Sequence, residues 1–69
     1  MGRGHDSLRE RLEGIAEELA DLALDCLHRA ADDPAQRQRL VGEERRLTRA
    51  RRAVEKAALL LTPDRGDRD

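Results

Sequence analysis

The stretch AADDPAQ, Ala30 to Gln36, interrupts a chain written almost entirely in helix-forming residues. Proline at position 34 fixes its own φ near −65° and crowds the residue before it, which pushes Asp33 out of helical geometry. The same proline suits the first position of a new helix, where its missing N–H has no partner in any case. Asp33 is an N-cap residue type, and Gln36, three further on, completes the pattern of a capping box. One helix therefore stops at Asp32–Asp33 and another starts at once. A break this short makes the two helices antiparallel neighbours.

Working outward, Ser7-Leu8-Arg9-Glu10 has the Ser-x-x-Glu form of a capping box and predicts the start of the first helix. Apolar residues then recur at Leu8, Leu12, Ile15, Leu19, Leu22 and Cys26, in steps of four and three that keep one face. Ala16, Ala23, Leu27 and Ala30 widen that stripe on one side. Beyond the corner, Leu40, Leu47, Val54 and Leu61 fall seven apart, flanked by Ala50 and Ala57, until Thr62-Pro63 ends the run. These signals predict a single domain over 1–69, with helix one at about 7–31, a turn at 32–33, helix two at about 34–61 and a polar tail over 62–69. Folding back at the corner sets Cys26 beside Leu40, Leu19 beside Leu47 and Leu12 beside Val54. Ile15 then faces Ala50, and Leu8 faces Ala57 or Ala58. Gly14 and Gly42 each cost a helix about 1 kcal/mol against alanine. Gly42 is the point where helix two is open to a kink or restart.

Sixty-nine residues without one aromatic side chain can build only a small core. Two helices side by side enclose no interior, and a solitary hairpin would leave leucine in water. The expected fold is therefore all-α, a two-helix antiparallel hairpin dimerising into a four-helix bundle. Leu24 and Leu27 lie off the main stripe near the turn, while Leu59 and Leu60 lie at the open end. Two hairpins packed with their turns at opposite ends bring these leucines together, so Leu24, Leu27, Leu59 and Leu60 are the expected oligomer interface.

Charge divides the chain in two. Residues 6–33 hold three basic and nine acidic side chains, a net of −6, whereas residues 34–62 hold eight basic and three acidic, a net of +5. The stretch EERRLTRARRAVEKA, Glu43 to Ala57, puts six basic residues into fifteen. Within it Arg45, Arg49, Arg52 and Lys56 step by four, three and four and form a row away from Leu47 and Val54. Glu10, Glu17 and Asp21 form a matching acidic row on helix one, with Glu13 and Asp25 at its edges. Like charges four apart weaken an isolated helix by a few tenths of a kcal/mol per pair. Attraction between the two helices is one compensation; docking of an acidic protein, or of a phosphate backbone, on the basic row is another. A total charge of −1 and the absence of stacking aromatics weigh against nucleic acid. Glu43, on the flank with Ala50 and Ala57, is placed to fix register through Arg46 or an arginine of a partner chain.

Other chemistry finds little support. The one cysteine, Cys26, is centred on the apolar stripe and reads as a buried thiol in a reducing, cytoplasmic setting. His28 points away from it, so no metal site is expected, and neither is a cofactor. The first ten residues lack the apolar run of a leader, and Ala57–Leu61 is far too short to span a bilayer. Arg65-Gly66-Asp67 spells a short adhesion tripeptide in a charged tail, which carries no weight alone. No nucleophile–base set or glycine-rich phosphate loop is present, so no catalytic residue is assigned. LRERLEGIAEELADLAL, Leu8 to Leu24, resembles the first helix of the all-helical chorismate mutases, which bind a dicarboxylate between helices through arginine and lysine. That resemblance requires core-facing cations, and only Arg51 lies near the stripe. In architecture the chain is similar to the ROP-type helical hairpins, which dimerise and bind paired RNA. The expected function is a small non-enzymatic interaction or scaffold module acting as a homo-oligomer. The alternative is a nucleic-acid-binding regulator using the basic row.

Overall fold

The computed structural model describes residues 3–62. Helix α1 runs Arg3–Asp32, a single 3-10 turn spans Pro34–Gln36, and helix α2 runs Arg37–Leu60. The two helices pack along one another as a hairpin, and no strand occurs among the described residues. The predicted tail beyond Thr62, with Arg65-Gly66-Asp67, lies outside them.

Helix α1 begins four residues earlier than the capping box at Ser7 predicts, so Ser7 sits inside the helix. The reason is a local charge ladder. Arg9 Nη1 donates to Asp6 Oδ1 at 3.3 Å, and its Nε lies 3.9 Å from Glu13 Oε2. Pairs at these spacings support a helix, and Asp6 in the first turn complements the positive end of the helix dipole.

At the corner Asp33 leaves helical geometry, with φ −133° and ψ 88°, the extended conformation a following proline favours, and Gln36 departs from it by less, with φ −103° and ψ 0°. The predicted second capping box does not form: Asp33 makes no side-chain cap, and Gln36 Oε1 instead accepts from Arg39 Nε at 2.9 Å. Backbone and arginine do the closing. The Asp33 N–H donates to the Arg29 carbonyl and the Gln36 N–H to the Asp33 carbonyl, both at 3.0 Å. Arg37 Nε donates to the Ala30 carbonyl at 3.1 Å, so the first residue of α2 satisfies an oxygen in the last turn of α1. At the far end Thr62 Oγ1 donates to the Ala58 carbonyl at 3.1 Å and closes α2.

The buried residues are Ala16, Ala23, Cys26 and Ala30 from α1, and Leu40 and Ala58 from α2. Leu40, 2% exposed, packs with Cys26 and Ala30 near the corner, and Val41 and Leu47 lie against them. The expected neighbourhood of Cys26 and Leu40 is therefore present. The seam is nonetheless rotated from the predicted leucine stripe. Ala16, Ala23 and Ala30, seven apart, line the closest approach, while Leu8, Ile15 and Leu22 remain 47%, 45% and 53% exposed. Ala50, expected to close a layer with Ile15, is exposed as well. Small side chains let two helix axes come close where no aromatic ring holds them apart, and the larger aliphatics then flank the contact. Arg9 stands where the alanine row would continue; its stem is mostly covered and its head turns to Asp6 and Glu13.

The hairpin is a slab, with Cα extents of 51 × 22 × 12 Å, one helix layer thick. Helix α2 is continuous through Gly42, and no glycine among the described residues has positive φ. A β-carbon at Gly42 would meet nothing within 4 Å. Gly42→Ala should therefore raise stability by about 0.5–1 kcal/mol, read as a higher midpoint in thermal or urea unfolding followed by circular dichroism. Leu40→Ala should lower it by about 2–5 kcal/mol in the same titration, because the most enclosed side chain leaves a void at the corner.

Candidate interaction surfaces

Helix geometry gives the slab two faces and two backs. Leu22 and Leu24 differ by about 200° around α1, so they belong to opposite faces. The Leu24 face is mixed. A groove along it is lined by Glu13, Ala16, Glu17, Ala20, Arg51 and Glu55, and continues towards the corner past Ala23, Leu24, Leu27, Glu44 and Thr48. Arg51 Nη1 lies 3.6 Å from Glu55 Oε2, and Thr48 Oγ1 donates to Glu44 Oε2 at 2.7 Å. The one cation near the stripe is thus paired along its own helix.

The Leu22 face is apolar. Leu8, Ile15 and Leu22 stand along it, with Leu12 and Leu19 half-buried beside them. Across the seam Leu47, Val54, Ala57 and Leu61 are half-buried and Ala50 is exposed. Glu43 is the single charge in that row of α2. It pairs with Arg39 at 3.8 Å, one turn before it, and not with Arg46, one of the two kinds of partner expected for it.

The expected interface leucines separate into two groups. Leu24 and Leu27 lie together on the mixed groove near the corner. Leu59, 71% exposed, edges a hollow with Glu13, Glu55, Ala58 and Thr62 at the other end of that face, and Leu60, 76% exposed, lies about 100° further round α2.

Arg45, Arg49, Arg52 and Lys56 are all exposed along the back of α2. Arg45, Arg49 and Arg52 rim one shallow hollow with Glu44 and Thr48, so the spacing does bring these three together. Glu10, Glu17 and Asp21 are exposed on α1. Among the described residues every ion pair joins residues three or four apart on one helix: Arg9 with Asp6 and Glu13, Arg29 with Asp25, Arg39 with Glu43, and Arg51 with Glu55. None crosses the hairpin seam, because the basic and acidic rows face away from each other. The attraction expected between the helices therefore forms no contact within one chain.

Among the described residues no three His, Cys, Asp or Glu side chains gather as a metal site. Cys26 is a buried free thiol, His28 is exposed, and no described helix is long and apolar enough to cross a membrane. Compared with known proteins, the chain matches no protein family, no curated protein and no solved structure. Sequence reasoning missed the tie from Arg37 to Ala30, which periodicity does not encode. It also underweighted Ala16, Ala23 and Ala30, whose strict seven-residue spacing was the available signal. Since the basic row pairs with nothing among the described residues, Arg49→Glu with Arg52→Glu should leave the unfolding free energy of the hairpin within about 0.5 kcal/mol of the parent, checked by urea titration followed by circular dichroism.

Proposed function

We propose that this chain is a small non-enzymatic interaction module working as a homo-oligomer, with two hairpins closing into a four-helix bundle. The observation that carries the reading is the row of Leu8, Ile15 and Leu22, each left about half exposed on a one-layer slab. Covering an aliphatic side chain from water contributes about 1.5–3 kcal/mol when complete, so a second layer recovers what one partner helix leaves uncovered. A bundle is the common way for helices with a stripe this wide to do so. The assembled bundle then presents Arg45, Arg49, Arg52 and Lys56 outward as a docking row for an acidic protein partner. A buried free thiol at Cys26 fits a reducing compartment such as the cytoplasm.

One observation favours a second reading. Among the described residues the four cations carry no ion pair, and they stretch over twelve residues, about 16 Å of helix, which is long enough to follow several phosphates. A nucleic-acid-binding regulator is the alternative on that ground. The acidic α1 beside the row and the absence of aromatic residues favour the protein partner.

Sedimentation equilibrium at micromolar concentration should give a multiple of the 7.8 kDa chain mass; a monomer there would overturn the oligomer reading. Gel-shift titration with duplex RNA or DNA in low salt should show no complex. Salt-sensitive binding lost in Arg49→Glu with Arg52→Glu would put the alternative first.

A further inference from the structure

We infer that two copies pack through their Leu22 faces with both corners at the same end, so that each acidic α1 lies against a basic α2 of the other copy. This rests on the homo-oligomer reading above and adds the face and the orientation.

The choice of face follows from what each would bury. Stacking on the mixed groove would press Glu13, Glu17, Glu44 and Glu55 of two copies into one another. Arg51 is the one cation lining that groove against these four carboxylates, and taking a net negative patch of each copy out of water is costly. The opposite face offers Leu8, Ile15 and Leu22 beside Ala50 and Ala57, and Glu43 on α2 is already paired there with Arg39.

The orientation follows from charge. A closed dimer of identical hairpins is related by a twofold axis. With the axis across the helices, the corners lie at opposite ends, α1 stacks on α1 and α2 on α2. That sets a net of −6 against −6 and +5 against +5. With the axis along the helices, the corners coincide and every neighbouring pair joins an acidic helix to a basic one. Neighbouring helices are antiparallel in either arrangement, as in an up-and-down bundle, so charge alone separates the two. The charge is available for this, since among the described residues no ion pair crosses the seam inside one hairpin. Glu18 on α1 and Arg46 on α2 are both exposed and unpaired on the flanks of the leucine face. They also lie at neighbouring heights, because Ala20 lines one hollow with Thr48 and Arg51 of the other helix. Coinciding corners bring Glu18 of each copy towards Arg46 of the other. Opposed corners bring Glu18 towards Glu18.

The test places a spin label at the corner of the full chain, Ala35→Cys on a Cys26→Ala background, with Gln38→Cys as a second site. Pulsed electron resonance and sedimentation are run on the same sample. Coinciding corners predict a label separation below about 25 Å, since bundle axes lie roughly 8–10 Å apart. A dimer with a separation of about 36 Å or more, the length of the 24 residues of α2 at 1.5 Å each, would overturn the orientation and leave the oligomer reading standing. A monomer with no measurable separation would overturn both. For the face, Leu22→Glu should weaken the dimer by at least about tenfold and Leu24→Glu by much less. The reverse order would overturn the face assignment.

Discussion

Pro34 turns Asp33 away from helical geometry, and that one extended residue with the tight turn after it reverses the chain. Every contact between the arms descends from that restriction. With a single residue outside the helices, the two arms have almost no freedom in how far apart they begin, and Leu40 is carried directly onto Cys26 and Ala30. The bond from Arg37 to the Ala30 carbonyl fixes the corner from the α2 side. A longer linker would have allowed the arms to slide or rotate to cover more leucine; this one holds them where alanine meets its neighbour.

That constraint explains why the interior is so modest. Among the described residues four of the six that are buried are alanines, and no side chain is sealed away completely. Alanine permits close approach but contributes little apolar area, so the hairpin gains contact without gaining much enclosed volume. The larger aliphatics sit beside the seam and keep part of their surface in water. The division between a tight, thin seam and a wide apolar margin is what makes association between copies the natural completion of the fold.

The corner, the antiparallel pairing and the meeting of Cys26 with Leu40 were all legible in the sequence, because proline chemistry and a seven-residue repeat act over a few residues and need no knowledge of distant partners. The start of α1 was not. Ser7 looks like a cap, but a cap matters only if nothing upstream prefers the helix, and the pairing of Asp6 with Arg9 does. The exact facing of the helices was also hidden, since a stripe of leucine and alanine together is wider than one partner covers and periodicity cannot choose which edge is left out. For the basic row, spacing correctly placed Arg45, Arg49 and Arg52 side by side. It could not show that the matching acids look the other way, as that depends on how two helices present their backs across a hairpin.

Cys26 is the one thiol in the chain, and it is shut beneath Leu40 beside the corner. A reagent that alkylates sulfur reaches it chiefly while the arms are parted, so the rate of modification follows how often this molecule breathes. The residue that packing made inert is thereby a built-in clock for the opening of the fold, and one that would slow whenever a second layer closes over the first.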